Sequence, residues 1–167
     1  MRGRFWLAAL GLAALVMAQL PDAKVKRDPP FQPIPFNHKL HVAQGLKCAE
    51  CHAMPEPGDF ATYPKTATCM ACHVAIKTDS VHIKKLAGIT KEGKKVQWTP
   101  VYRIPEWVSF NHKKHMGVAG VTCESCHGPV ATRVEVFREK DLSMDACMQC
   151  HRQNNGPNGC LVCHDQR

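Results

Sequence analysis

Five copies of Cys-x-x-Cys-His take up every cysteine in this chain: Cys48, Cys51 and His52; Cys69, Cys72 and His73; Cys123, Cys126 and His127; Cys147, Cys150 and His151; and Cys160, Cys163 and His164. Each copy offers two thiols for thioether bonds to a haem and an adjacent imidazole for its iron, the attachment signature of c-type haem. Disulfides, zinc and a redox dithiol are the other uses of paired cysteines. None of them calls for a histidine directly after the second cysteine in all five copies. The cofactor expected is therefore five covalently attached haems c.

The histidines divide evenly. Five sit in the motifs, and five lie outside them: His38, His41, His82, His112 and His115. Five irons need five sixth ligands. If each outlying histidine supplies one, every iron is closed by two imidazoles and has no place for a substrate, so it can only gain and lose electrons. Methionine is the competing sixth ligand, with Met54, Met116 and Met144 as candidates outside the motifs. Their spacing is irregular, whereas that of the histidines repeats.

That repeat sets the organisation. Phe36-Asn37-His38-Lys39-Leu40-His41 recurs as Phe110-Asn111-His112-Lys113-Lys114-His115, and a haem motif follows each copy at Cys48 and Cys123. A second motif follows in turn, at Cys69 and Cys147. The chain reads as two dihaem modules, 31–82 and 105–151, joined by a linker, 83–104. A tail, 152–167, carries the fifth haem. Histidines three apart share one side of a helical turn yet diverge, so one short segment can serve two haems. His82 has no counterpart in module two and is the least secure ligand.

Secondary structure is expected to be sparse. Twelve prolines and eleven glycines punctuate the chain, and Pro29, Pro30, Pro33 and Pro35 keep segment 19–35 extended. Short helices are expected over 68–75 and 144–152, and 134–137 as strand or loop. With so little patterned apolar sequence, the haems would be the core. The fold class expected is mainly α with extensive irregular coil and little β, and 31–167 form one compact multihaem unit. The linker aromatics Trp98, Tyr102 and Trp107 are read as packing over a haem face, and Arg103, Arg133 and Arg138 as exposed or paired with propionates.

Arg2 and Arg4 followed by the apolar run Phe5–Leu20 and the small-residue site Val16-Met17-Ala18 have the layout of a secretory signal peptide, 1–18. An uncleaved anchor is the alternative, and in either case the haem region lies outside the cytoplasm. Location is thus periplasmic, on the outer face of the cytoplasmic membrane, or extracellular. Net charge is +8, and +6 without Arg2 and Arg4. Five haems would add about ten propionates and about five ferric charges, bringing the oxidised protein near +1. The pI of 9.1 therefore does not argue for a nucleic-acid partner.

Phe-Asn-His-Lys-x-His upstream of Cys-x-x-Cys-His resembles the class III multihaem cytochromes c. The stretch from Pro64 to His73, then Trp98, Val101, Pro105, Phe110 to His112, Cys123 to Val130, Met144, Cys147 and His151, is similar to the pentahaem cytochrome subunit of alternative complex III and to related small periplasmic pentahaem cytochromes. The resemblance implies a compact class III-like fold and electron transfer between redox partners, with no enzymatic activity. It implies that His38 serves the haem on Cys48 and Cys51, and His112 the haem on Cys123 and Cys126. His41 and His115 would reach other haems. A quinol dehydrogenase or an iron–sulfur subunit is the partner it implies, with membrane contact if the N-terminal segment is uncleaved. Two other roles stay open: a subunit of an extracellular haem polymer, and a reductase with one open iron at which His82 does not bind.

Overall fold

The computed structural model describes Val25 and residues 28–164. The expected signal peptide and the last three residues lie outside the described residues. Among the described residues there are eight α-helices, one 3-10 turn and no strand. The helices are α1 His38–Ala43, α2 Cys48–Cys51, α3 Thr66–His73, α4 Val81–Lys91, α5 His112–Met116, α6 Cys123–His127, α7 Met144–Gln153 and α8 Cys160–Cys163, with the 3-10 turn Val130–Thr132 between α6 and α7. Every haem motif begins on a helix. Residues 134–137 are irregular.

The two ligand helices start in the same way. Asn37 Oδ1 accepts from Leu40 N at 3.0 Å and Asn111 Oδ1 accepts from Lys114 N at 2.8 Å. Each asparagine satisfies an otherwise unpaired amide of the first turn and fixes where the helix begins. This cap sets the direction of the two histidines that follow. Helix α7 is capped similarly by Ser143, whose hydroxyl accepts from Ala146 N at 3.4 Å.

Helix α4 falls within what the sequence reading assigned to module one and the linker. Its signal was present: Ser80 caps it, and Ile83, Leu86, Ala87 and Thr90 follow the i, i+3, i+4, i+7 pattern of one helical face. That face lies on α3, where Ile83 and Ala87 meet Met70 and Val74.

Apolar burial is scant. Among the described residues the buried hydrophobic side chains are Val25, Ile34 and Leu86. Each contributes about 1.5–3 kcal/mol, whereas ordering the backbone costs about 1–2 kcal/mol per residue. A cavity of about 2750 Å³, lined by both repeats and the linker, runs through the molecule. Single ligand pockets span about 300–1,000 Å³, so this one has room for several large prosthetic groups. Trp98, Tyr102 and Trp107 all line it.

The modules brace each other. Lys39 N, next to His38, donates to Arg133 O of module two at 3.0 Å, and α1 packs on the 3-10 turn. Lys113 N, next to His112, donates to Gly58 O of module one at 3.1 Å. Gly58 has φ +92°, and a Cβ there would stand 2.4 Å from Lys113 Cβ. Glycine is required on both counts, by left-handed backbone and by close approach.

Arg133 is paired within the protein. It clasps the fully buried Glu139 through Nε to Oε1 and Nη2 to Oε2, both at 2.7 Å. Glu139 N donates to Tyr102 Oη at 2.8 Å, and the Tyr102 ring stands edge-on against His127 at 4.9 Å. Gly128, at φ +71°, lets the backbone after the third motif lie against Glu139. Removing one partner of a buried pair costs about 3–5 kcal/mol. Arg133 keeps a quarter of its side chain exposed, so Glu139→Ala is expected to lose about 3 kcal/mol in chemical denaturation of the holoprotein, and Glu139→Gln distinctly less.

Candidate haem centres

We number the sites 1 to 5 by motif, from Cys48 to Cys160. Eight histidines meet in four pairs. His38 faces His52 with ring centres 6.4 Å apart and planes within 8°. His112 faces His127 at 6.5 Å and 4°. His115 faces His151 at 6.0 Å and 25°, and His41 faces His73 at 6.2 Å and 59°. Each pair joins one motif histidine with one repeat histidine. A nitrogen–metal bond is about 2 Å and an imidazole nitrogen stands about 1.1 Å from its ring centre, so two rings on opposite sides of one ion stand about 6 Å apart. Four separations between 6.0 and 6.5 Å fit a metal held between two imidazoles.

The ring nitrogens agree with this. A backbone carbonyl only accepts, so an imidazole nitrogen beside one carries the proton. His52 Nδ1 donates to Thr62 O at 2.9 Å, His73 Nδ1 to Ile76 O at 3.0 Å and His151 Nδ1 to Pro157 O at 2.6 Å. On the opposing side His41 Nδ1 donates to Asn37 O and His115 Nδ1 to Asn111 O, both at 2.8 Å, and His112 Nδ1 to Asp59 O at 2.7 Å. In each case Nε2 is left with the lone pair a metal takes. Such an outer bond fixes the tautomer and the ring direction of a ligand.

Further rings hold the ligands in place. Phe36 stacks on His41 at 4.2 Å and meets His38 edge-on at 4.8 Å. Phe110 does the same with His115 and His112, at 4.3 and 4.8 Å. The leading phenylalanine of the repeat is therefore a wedge that sets two imidazoles at right angles. This role was missed in the sequence, although its fixed place in both copies was visible.

The halves differ at one atom. His112 Nδ1 finds Asp59 O across the module boundary, while His38 Nδ1 is buried with no hydrogen-bond partner. Burial, with His52 and His41 nearby, lowers the His38 pKa to about 4. Burial likewise lowers that of His127, with His112 and His52 adding to it. Both rings are neutral near pH 7, the form in which imidazole binds metal.

The thiols fit the same group. All ten cysteines are free, and none is buried. Seven of them, from sites 1, 2, 3 and 4, face the large cavity. Thiol pairs on one helical turn, an imidazole beside them, an opposed second imidazole and an apolar cavity wide enough for porphyrins together suit covalently bound haem.

Neither His82 nor His164 faces another ring among the described residues. His82 starts α4 and reaches the cavity, while Cys163 O accepts from Ser109 N at 2.7 Å. Met54 and Met116 line the cavity as well. Met144 is largely exposed at the start of α7.

Comparison with known proteins gives the same group of folds. The class III cytochrome C family matches residues 14–95, and a doubled CXXCH motif matches residues 115–156. A curated relative, the menaquinone reductase, multiheme cytochrome c subunit of Nitratidesulfovibrio vulgaris (strain Hildenborough), is 31% identical over 161 residues, covering 80% of this chain and 76% of the relative. The chain belongs to the class III cytochromes c. Cytochrome c3 of Desulfuromonas acetoxidans is 39% identical over 57 residues, 34% of this chain and 79% of that one. This cytochrome therefore binds haem c at several sites and transfers electrons. Its helical, strand-free architecture among the described residues is the one the sequence pointed to.

The two capping asparagines offer a test of how the cytochrome orients its ligands. Asn37 only caps, and Asn37→Ala should cost about 1 kcal/mol. Asn111 also donates through Nδ2 to Pro57 O and Asp59 Oδ1, both at 2.8 Å, and each such bond adds about 1 kcal/mol. Asn111→Ala is expected to cost about 3 kcal/mol in denaturant titration, and to broaden the haem EPR signals more than Asn37→Ala does.

Proposed function

We propose that this cytochrome is a pentahaem electron carrier that works outside the cytoplasm, with four irons closed by paired imidazoles. The observation that carries the reading is the set of four opposed histidine pairs at 6.0–6.5 Å. Bound haem supplies a one-electron couple whose potential follows its axial ligands and surroundings. The protein's part is to hold both ligands in place so that neither has to move when the charge on the metal changes. The Nδ1–carbonyl bonds and the phenylalanine wedges do this. A haem held between the opposed imidazoles of sites 1 to 4 would be closed to substrate, which favours electron transfer over catalysis there.

Site 5 admits a second reading because His164 faces no ring among the described residues. His82 is the histidine left over for it. If His82 does not reach it, site 5 presents an open face, and a reductase activity could reside there. The partner proposed is a membrane complex that exchanges electrons with a quinone, as the name of the Nitratidesulfovibrio relative suggests. Among the described residues no helix is long and apolar enough to cross a membrane, so attachment would run through the N-terminal segment or another subunit.

Pyridine haemochrome and iron analysis of the purified holoprotein should give five haems per chain. Ferric EPR should be low-spin for at least four of them. Wholly low-spin signals without a carbon monoxide response would mean that site 5 also has a sixth protein ligand, and if that ligand is His82, His82→Ala should create one high-spin haem. A native carbon monoxide response at one haem in five would favour the open site. More than one open iron would overturn the reading.

A further inference from the structure

We propose that the outer face of α4, with the turn before it, is the docking surface for an acidic protein that passes single electrons to the haem of site 2. This rests on the reading of site 2 as a haem held between His41 and His73, and adds the kind of partner from which it takes electrons.

Charge marks the surface. Residues 77–95 carry Lys77, Lys84, Lys85, Lys91, Lys94 and Lys95 against Asp79 and Glu92, and all six lysines are exposed. Lys85 donates to Pro33 O, and Lys94 pairs with Glu92. The ammonium groups of Lys77, Lys84 and Lys91 meet no acceptor among the described residues. Lys84 and Lys91 are seven apart and share one side of the helix, with Gly88 between them.

The same surface adjoins site 2. Lys84 lines a hollow between α3 and α4 together with His73 and Val74. Val74 and Ile76 are more than half exposed. Neither lines the large cavity, so haems seated there leave them bare. A small apolar centre with a cationic rim, next to a haem ligand, suits the brief docking of a redox protein.

Two residue choices point the same way, because the fold alone would reverse them. Lys77 sits at φ +55° in the turn after α3, a left-handed backbone that glycine adopts without strain. Gly88 sits inside α4, where glycine weakens a helix relative to alanine. A Cβ at Gly88 would meet nothing within 4 Å, so packing does not demand glycine. A cation on the turn and a flat patch between two lysines serve a surface that approaches from outside. Local preferences broken without a structural return mark functional positions. Helix α4 also has no counterpart in the second repeat, where α7 is followed by the fifth motif.

An anionic lipid would match the charge but has no electron to give, and the patch adjoins a haem ligand. In the step proposed, the partner's centre is oxidised by one electron and the site 2 iron goes from ferric to ferrous. No bond is made or broken.

The test is stopped-flow reduction of the ferric holoprotein by reduced plant-type ferredoxin, a small acidic iron–sulfur protein, over a range of salt. The second-order rate should fall as salt rises. Lys84→Glu/Lys91→Glu should lower it about tenfold at low salt and flatten the salt dependence. Lys114→Glu/Arg152→Glu, an equal change of charge on the second repeat, should leave it within about twofold. Gly88→Gln should raise the thermal midpoint and still slow the transfer. Equal losses in the two double variants, a rate indifferent to salt, or full speed in Gly88→Gln would overturn the proposal. So would flotation with phosphatidylglycerol vesicles that needs Lys84 and Lys91 while the ferredoxin rate does not. A His41→Ala protein that keeps every haem low-spin would sink the reading of site 2 itself, whereas a salt-independent rate in a parent protein of intact spectrum sinks the docking surface alone.

Discussion

An imidazole that gives its Nδ1 proton to a backbone carbonyl keeps one lone pair, on Nε2, and points it in one direction. Six of the eight paired histidines are fixed in this way. The carbonyls come from helix caps at Asn37 and Asn111, from turns at Ile76 and Pro157, and from loops at Asp59 and Thr62. The irregular backbone between helices is therefore what aims the ligands. At α1 and α5 the carbonyls of Asn37 and Asn111 serve twice, accepting from the backbone N of His41 and His115 at 3.3 Å as well as from their Nδ1.

Such a chain stands apart from ordinary domains. The three buried apolar side chains among the described residues cannot hold over a hundred residues in one shape. Exposed Phe31, Phe60 and Trp107 line the cavity, and they are the surfaces that flat apolar macrocycles would cover. Folding and cofactor attachment are on this view one event. The capped turns and braced loops supply local geometry, and burial against the haems supplies the stabilisation.

Much of the site was legible in the sequence because covalent attachment demands a contiguous motif. Cys-x-x-Cys-His must lie within one turn, so spacing alone reveals it. The Phe-Asn-His-x-x-His repeat was legible for a similar reason, since cap, wedge and both imidazoles share one short segment. What spacing could not give were contacts between distant segments: Asp59 with His112, Tyr102 with His127, Arg133 with Glu139. Arg133 reads from the sequence as exposed or paired with a propionate. Its protein partner, Glu139, lies six residues on, in a stretch with no periodicity to mark it. Helix α4 was missed for another reason: His82 drew attention as a ligand, and the apolar face around Leu86 was read as linker.

The repeat is most informative where it breaks. In the second repeat His112 is oriented by the first, through Asp59 O and the neighbouring Gly58–Lys113 contact. Module one's His38 receives only the indirect anchor of Lys39 N on Arg133 O, and its Nδ1 has no partner. Two equal copies placed side by side would have treated both ligands alike. One copy instead adds the loop that orients the other's ligand. The other answers with the Arg133–Glu139 clasp, whose carbonyl end holds α1 and whose carboxylate end supports the wall behind His127 through Tyr102. The exchange falls on sites 1 and 3, the two ligand sets nearest the boundary. A shift of one module against the other would therefore disturb both distal imidazoles at once. The two repeats are thus held together by the same contacts that orient their histidines, Gly58 and Asp59 from one and Arg133 from the other.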